Sequence, residues 1–184
     1  MMTRRNAWMG LFAAVAGVRG LLAAWPGHAA QSGANREVVH TDAEWKMLLT
    51  PAQYDVLRHA GTEPPFSSPL DKEKRAGVFS CAGCNLPLFS SKAKFESGTG
   101  WPSFWAPFDE AHVKAVRDTS YGMVRIETRC ARCDSHQGHV FPDGPPPTRL
   151  RYCINSVSLQ FVPTGAALPD PLGRGDSLAD APAG

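Results

Sequence analysis

Two short stretches constrain this chain more than anything else in it: "CAGC" at 81–84 and "CARC" at 130–133. Each sets two thiols two residues apart, the spacing at which a tight turn aims both sulfurs at one point. Two such turns supply four soft ligands in a tetrahedron, a donor set that suits zinc. Forty-five residues separate Cys84 from Cys130, wider than in a simple finger. The spacing therefore predicts two hairpins, remote in sequence, clamped together by one ion. With Cys81, Cys84, Cys130 and Cys133 as ligands the site is closed, and its single Zn2+ is structural. Two disulfides or a redox dithiol are the rival uses of the same residues.

Five cysteines in all leave one over, Cys153, within "RYCINS". A spare thiol is commonly a small buried hydrophobe. Its neighbours argue for more. On a strand, Arg151 and Asn155 project from the same face as Cys153. The cation should lower the thiol pKa and the amide should offer a hydrogen bond. "SHQGHVFPDG" adds His136 and His139 just after the second cysteine pair, groups able to supply a proton near neutral pH. "SGTGWPSFWAPF" is a Gly/Pro-shaped loop carrying Trp101, Phe104, Trp105 and Phe108. Those rings are either lids on the core or a pocket for a small, soft apolar group such as a thioether. The chemistry alone points to a cysteine-dependent enzyme with an aromatic pocket and a histidine acid.

The surrounding chain reads as mainly β. From Gly77 onward, short alternating runs such as "MVRIETRC" are divided by Gly, Pro, Asn and Asp. In that run Val124, Ile126 and Thr128 face one way, and Arg125, Glu127 and Arg129 the other. Gly and Pro together number 33 of 184 residues, which favours turns over long helices. Two short helices are expected ahead of the strands. Thr41 and Glu44 of "TDAE" form a capping box. Thr50 caps the second, Pro51 fits its first position and Gly61 should end it.

The first thirty residues form a basic head (Arg4-Arg5), a short apolar middle and a small-residue end, the grammar of an export signal. Arg19 interrupts the apolar run, which is too short to span a bilayer. The paired arginines resemble the twin-arginine class, with cleavage after Ala29 or Ala30, so the expected destination is the periplasm. Loss of residues 1–30 lowers Lys+Arg from 19 to 16 against 17 Asp+Glu. The net charge becomes −1, without the basic footprint of a nucleic-acid binder. The expected organisation is a signal at 1–30, a linker at 31–40, one domain at 41–163 and a disordered tail at 164–184.

Together the motifs "GTEPPF", "CAGCNLPLF", "SGTGWPSF", "RIETRCARCDSHQGHVFPDGPPPT" and "RYCINSVSLQF" resemble the type B peptide-methionine (R)-sulfoxide reductases. They cover roughly 41–162, in the family's order. The resemblance implies two antiparallel sheets with short N-terminal helices and a structural zinc on the four paired cysteines. It implies that Cys153 is the nucleophile attacking the sulfoxide sulfur, with His139, then His136, as the acid and a sulfenic acid as the product. It places Trp101 against the substrate methyl, with Phe104 and Arg151 among the substrate contacts and Asn155 steadying the site. Oxidised proteins or peptides would be the substrates, a thioredoxin-like or other thiol the reductant, and the enzyme a monomer. One departure stands out. Many members carry a second cysteine in the glycine-rich loop, and here Thr99 stands there. A threonine cannot resolve a sulfenic acid, so an external thiol is expected to reduce it directly. A zinc-clamped β module that only binds a partner, or a thiol–disulfide exchanger using a CxxC, are the other classes to separate.

Overall fold

The computed structural model describes residues 38–167. The expected export signal, most of the expected linker and most of the expected tail lie outside the described residues. Two helices open the described chain, α1 (Asp42–Leu48) and α2 (Pro51–His59). Both carry full capping boxes. Glu44 accepts from Thr41 N–H at 2.6 Å while Thr41 Oγ1 accepts from Glu44 N–H at 3.3 Å. Thr50 and Gln53 repeat the exchange. These side chains satisfy N–H groups that seven- and nine-residue helices leave open. The left-handed residue that ends α2 is Ala60 (φ 55°) rather than Gly61. Gly61 is needed for a different reason: a Cβ there would stand 2.2 Å from Asp55 Oδ2. No helix among the described residues is long and apolar enough to cross a membrane.

Nine strands follow: β1 (Gly77–Cys81), β2 (Pro87–Ser90), β3 (Lys94–Phe95), β4 (Ser103–Phe104), β5 (Val113–Asp118), β6 (Arg125–Cys130), β7 (His136–Phe141), β8 (Arg151–Ile154) and β9 (Leu159–Pro163). They form a three-stranded sheet ordered β2-β1-β9 and a six-stranded sheet ordered β3-β4-β8-β7-β6-β5. Every pairing is antiparallel. The fold is therefore mainly β, as the alternation in sequence required. "RYCINSVSLQFV", which reads as one element, is two. Asn155 and a 3-10 turn at Ser156–Ser158 carry the chain from β8 in the large sheet to β9 in the small one.

The core lies between the sheets. Phe89 stacks on Phe104 (4.5 Å, 14°), and Phe79 meets Phe104 edge-on at 5.0 Å. Leu88, Ile154 and Leu57 complete the fully buried centre. α2 adds Val56 and Leu57, and α1 adds Trp45. Two expected boundaries move. Val38, inside the expected linker, is buried, with its N–H donating to Arg132 O at 3.3 Å, because an apolar side chain there finds cover beside the second cysteine turn. Thr164, the first residue of the expected tail, donates to Ala76 O at 2.8 Å and so extends the edge of the small sheet.

Candidate functional site

The two cysteine turns are built alike. In the first, Cys81 N–H donates to Leu86 O and Asn85 N–H to Cys81 O, both at 2.8 Å. In the second, Cys130 N–H donates to Ser135 O at 2.9 Å and Asp134 N–H to Cys130 O at 3.0 Å. Asn85 (φ 63°) and Asp134 (φ 60°) take the left-handed conformation that closes each turn. Asn and Asp are the side-chain-bearing residues that adopt it at least cost. Cys81 ends β1 of the small sheet and Cys130 ends β6 of the large one. The four sulfurs thus meet where the sheets meet.

All four are buried free thiols whose sulfurs lie within 4.8 Å of one another. Cys81 Sγ is 3.7 Å from Cys133 Sγ, and Cys84 Sγ is 3.5 Å from Cys130 Sγ. These separations rule out the two-disulfide arrangement, whose bonds are about 2.05 Å. They fit instead the edge of a tetrahedron with metal–sulfur bonds of about 2.3 Å, which is about 3.8 Å. Sulfur–sulfur hydrogen bonds from Cys130 and Cys133, together with burial, push the Cys81 thiol well up. Four such sulfurs become thiolates together only around a cation. The residues present therefore fit a metal ion.

Two elements brace the cluster. Arg58 of α2 donates to Cys133 O and to Ser135 Oγ, each at 3.1 Å. Gln137 Nε2 donates to Cys81 Sγ at 3.5 Å. The carbonyl of Gln137 accepts from Asn155 N–H at 2.8 Å and from Asn155 Nδ2 at 3.1 Å. Gln137 thus ties the cluster to the end of β8, two residues from Cys153.

Cys153 lies on the other side of the large sheet's main chain. In antiparallel pairing, directly opposed residues share a face. Cys153 pairs with Ser103 on β4 and His139 on β7, and His139 pairs in turn with Glu127 on β6. Arg151 pairs with Phe141 on the same face. Tyr152, Ile154 and Phe104 point the opposite way, into the core. The sheet thus has an aromatic face turned inward and a polar face that carries the half-buried Cys153.

The two histidines reach that face through a β-bulge. Thr128 pairs with Gly138 but Arg129 pairs with His136, so Gln137 is the extra residue. In a regular strand His136 and His139, three apart, would face opposite ways. The bulge brings their rings to 5.4 Å, edge to face. Gly138 is required there: a Cβ would stand 2.1 Å from Cys153 O. Each imidazole donates to a carboxylate, His136 Nδ1 to Glu127 at 2.7 Å and His139 Nε2 to Asp118 at 2.8 Å. Such partners fix ring orientation and tautomer. Ser120, then His139 and Arg125, hold the Asp118 carboxyl well below its usual range. Burial opposes ionisation of Glu127, yet hydrogen bonds from His136 and Arg129 keep its pKa low. Burial pulls His139 down from 6.5, against the opposing pull of Asp118. His136 is buried and its Nε2 meets no described protein partner.

Two expectations need correcting. Phe104 is fully buried between Phe79 and Phe89, because its β4 position pairs with Tyr152 and so faces the core. It is a core ring, on the opposite face of the sheet from Cys153. The second concerns the thiol. Arg151 does draw the Cys153 pKa down, as does a hydrogen bond with Thr99, but burial outweighs both and the thiol sits above 9.0. The guanidinium is also engaged elsewhere, on both Asp143 oxygens at 2.9 and 2.8 Å and over the Phe141 ring at 4.6 Å.

Asn155 lies just beyond β8 and is buried. Besides the bonds to Gln137, its Oδ1 accepts from Glu63 N–H at 3.1 Å. Trp101 is half-buried, and its indole N–H donates to Glu63 O at 3.1 Å. Glu63 is therefore a hub, and its carboxylate also accepts from the N–H groups of Ser156 and Val157. Sequence reasoning gave no role to Glu63, Asp118, Glu127, Gln137 or Asp143. A register for β6 and β7 would have placed Glu127 opposite His139, but Asp118 pairs with Arg125 and no register would have set it against a histidine. Nothing local marks Glu63, whose partners are 92 to 94 residues away.

Comparison with known proteins agrees with this geometry. A SelR domain profile matches residues 49–163. The chain is 70% identical over 141 residues to a protein of Caulobacter vibrioides (strain NA1000 / CB15N) named peptide methionine sulfoxide reductase MsrB, covering 75% of this chain and 89% of that one. Proteins with the same name from Pseudomonas entomophila (strain L48) and Xylella fastidiosa (strain 9a5c) are 59% identical over 128 residues and 56% over 131. Those alignments cover 70% and 71% of this chain and 98% and 84% of the relatives.

Proposed function

The chain belongs to the SelR domain family, and from that premise we propose that it reduces the R epimer of methionine sulfoxide, protein-bound and free, with Cys153 as the nucleophile. The observation that carries the reading is the position of Cys153. It is the one thiol outside the four-cysteine cluster, and it lies half-buried on a polar face directly opposite His139.

Cys153 as thiolate attacks the sulfoxide sulfur while a protonated imidazole gives its proton to the oxygen. The hydroxyl then passes from the substrate sulfur to the Cys153 sulfur as the S–O bond and the new S–S bond break, so that methionine leaves and Cys153 holds the oxygen as a sulfenic acid. His139, oriented by Asp118, is the first choice of acid, and His136, oriented by Glu127, the second. Trp101 packs against the substrate methyl, held in place by Glu63. An external thiol of the thioredoxin type condenses with the sulfenic acid, releasing water, and a second thiol frees Cys153 as a disulfide departs. No internal thiol serves, because the other four belong to the cluster. Zinc is the metal we assign to that cluster, since four thiolates at tetrahedral spacing suit it. Bound there it is closed to substrate, and it fastens the small sheet to the large one. A monomer exported to the periplasm by residues 1–30 completes the proposal. N-terminal sequencing of the mature protein should begin after Ala29 or Ala30, and an intact Met1 would defeat the export assignment.

The test is turnover on separated R and S sulfoxides. The wild type should consume R only, and Cys153→Ser neither. A sulfenic-acid probe should label Cys153 once per chain after turnover without reductant. Finding Cys153 in an intramolecular disulfide would end the single-cysteine cycle, and a parent protein without turnover would leave a binding module.

A further inference from the structure

Thr99 occupies the loop position at which a second cysteine would resolve the first, and its surroundings give it another use. Its Oγ1 lies 3.8 Å from Cys153 Sγ and 2.8 Å from Ser97 Oγ. Ser97 Oγ lies 2.7 Å from Ser103 Oγ, and Ser103 Oγ donates to Trp101 O at 3.1 Å. Cys153, Thr99, Ser97 and Ser103 therefore form one unbroken row. Ser103 is fully buried and stands directly opposite Cys153 across the sheet.

Each hydroxyl carries one proton and can accept two. With Cys153 protonated, the row runs one way: thiol to Thr99, Thr99 to Ser97, Ser97 to Ser103, Ser103 to the Trp101 carbonyl. With Cys153 ionised, the same row runs the other way: Ser103 to Ser97, Ser97 to Thr99, Thr99 to the thiolate. Every hydroxyl-to-hydroxyl contact keeps one proton in both directions. Only the Ser103 bond to Trp101 O is given up, and it is the longest oxygen–oxygen contact in the row.

We propose that Thr99, backed by Ser97 and Ser103, is the hydrogen-bond donor that receives the ionised sulfur of Cys153, through a hydroxyl row that reverses when the thiol loses its proton. The idea rests on Cys153 being the nucleophile. Other groups facing that sulfur do less. Arg151 on the same strand is matched by Asp143. His139, opposite on β7, is committed through Nε2 to Asp118. Ser103 on β4 carries no charge. Arg151 also reaches the sulfur, but as a fixed cation; Thr99 is the hydroxyl that can turn its proton either toward sulfur or away from it.

The experiment is the pH dependence of Cys153 alkylation by iodoacetamide in the folded, metal-loaded full chain, read as the mass of the Cys153 peptide. Thr99→Val, which keeps the shape and removes the hydroxyl, should slow alkylation at pH 8 about tenfold, equivalent to about one pKa unit. Thr99→Ser should restore the wild-type profile. Ser97→Ala should fall between them, and it carries the test if the valine variant folds poorly. A Thr99→Val profile that overlays the wild type, or a Thr99→Ser profile as slow as valine, would overturn the row. The readout needs no turnover. A shifted profile in a protein that reduces no sulfoxide would support the row and sink the enzymatic reading. An unshifted profile in an active enzyme would do the reverse.

Discussion

The same side chain has two different lives in this molecule. At the seam between the sheets, four thiols are buried with their sulfurs within 4.8 Å of one another. On the polar face of the large sheet, Cys153 is half-buried among a hydroxyl, a guanidinium and an imidazole. The cluster sulfurs are held by backbone turns that repeat each other bond for bond. Cys153 is held by a strand, and its neighbours come from β4, β7 and the loop at 97–101. What separates the two kinds of thiol is therefore their surroundings: the first set faces chiefly other sulfurs and backbone, with the Gln137 amide and the Ser135 hydroxyl at its edge, and the second faces groups that can move protons.

The contrast implies that the two sets can be lost independently, and the largest effect should come from the cluster. Cys130→Ser removes one of four ligands. Structural zinc is worth about 10–16 kcal/mol in small domains, comparable with the whole stability of a folded domain at about 5–15 kcal/mol. The variant should lose its metal and its cooperative melting transition, measured by metal analysis and circular dichroism. Retention of both would show that the sheets need no clamp. Next comes Cys153→Ser, which should abolish turnover and leave metal content and melting temperature at wild-type values. A large drop in melting temperature there would erase the distinction between the two kinds of cysteine.

Phe104→Ala sharpens the contrast between the two faces. Removing a fully buried ring stacked on Phe89 should cost about 3–5 kcal/mol of stability, read by denaturant unfolding. KM for the folded fraction should not change. A raised KM with unchanged stability would return Phe104 to the substrate pocket.

The smallest effect is the pH profile. Burial lowers the His139 pKa below 6.5 and raises that of Cys153 above 9.0. The proposed reaction needs the imidazole protonated and the thiol ionised. Between the two pKa values that form is a constant fraction of the neutral pair, so kcat/KM should be flat. It should fall as pH drops through the His139 value, because the thiol is then held protonated. It should fall again as pH rises through the Cys153 value, because the acid is spent. His139→Gln should remove the acid limb and cost about 10²–10⁴ in rate. An unchanged acid limb in that variant would pass the role to His136.

Local patterns were enough for much of this. The capping boxes at Thr41 and Thr50, the antiparallel β class and the four-ligand set all follow from interactions within a few residues or from a repeated motif. The sharing of one face by Arg151 and Cys153 followed from strand alternation. Alternation could not say which face was the core, and so Phe104 was placed in the pocket when it belongs under it. Nor could it show that a bulge at Gln137 turns His136 and His139 to one side.

The sequence by itself determined which atoms are available: four thiols in two turns, one spare, two imidazoles and a threonine at 99. Only the tertiary structure decided what each meets. The partners that set the chemistry come from distant segments, Glu63 for Asn155 and Trp101, Asp118 for His139, Thr99 for Cys153. Burial then decided the sign of the Cys153 shift. A cation two residues away is visible in a string of letters. The loss of water around a sulfur depends on every strand packed over it, and that exists only once the sheets have closed.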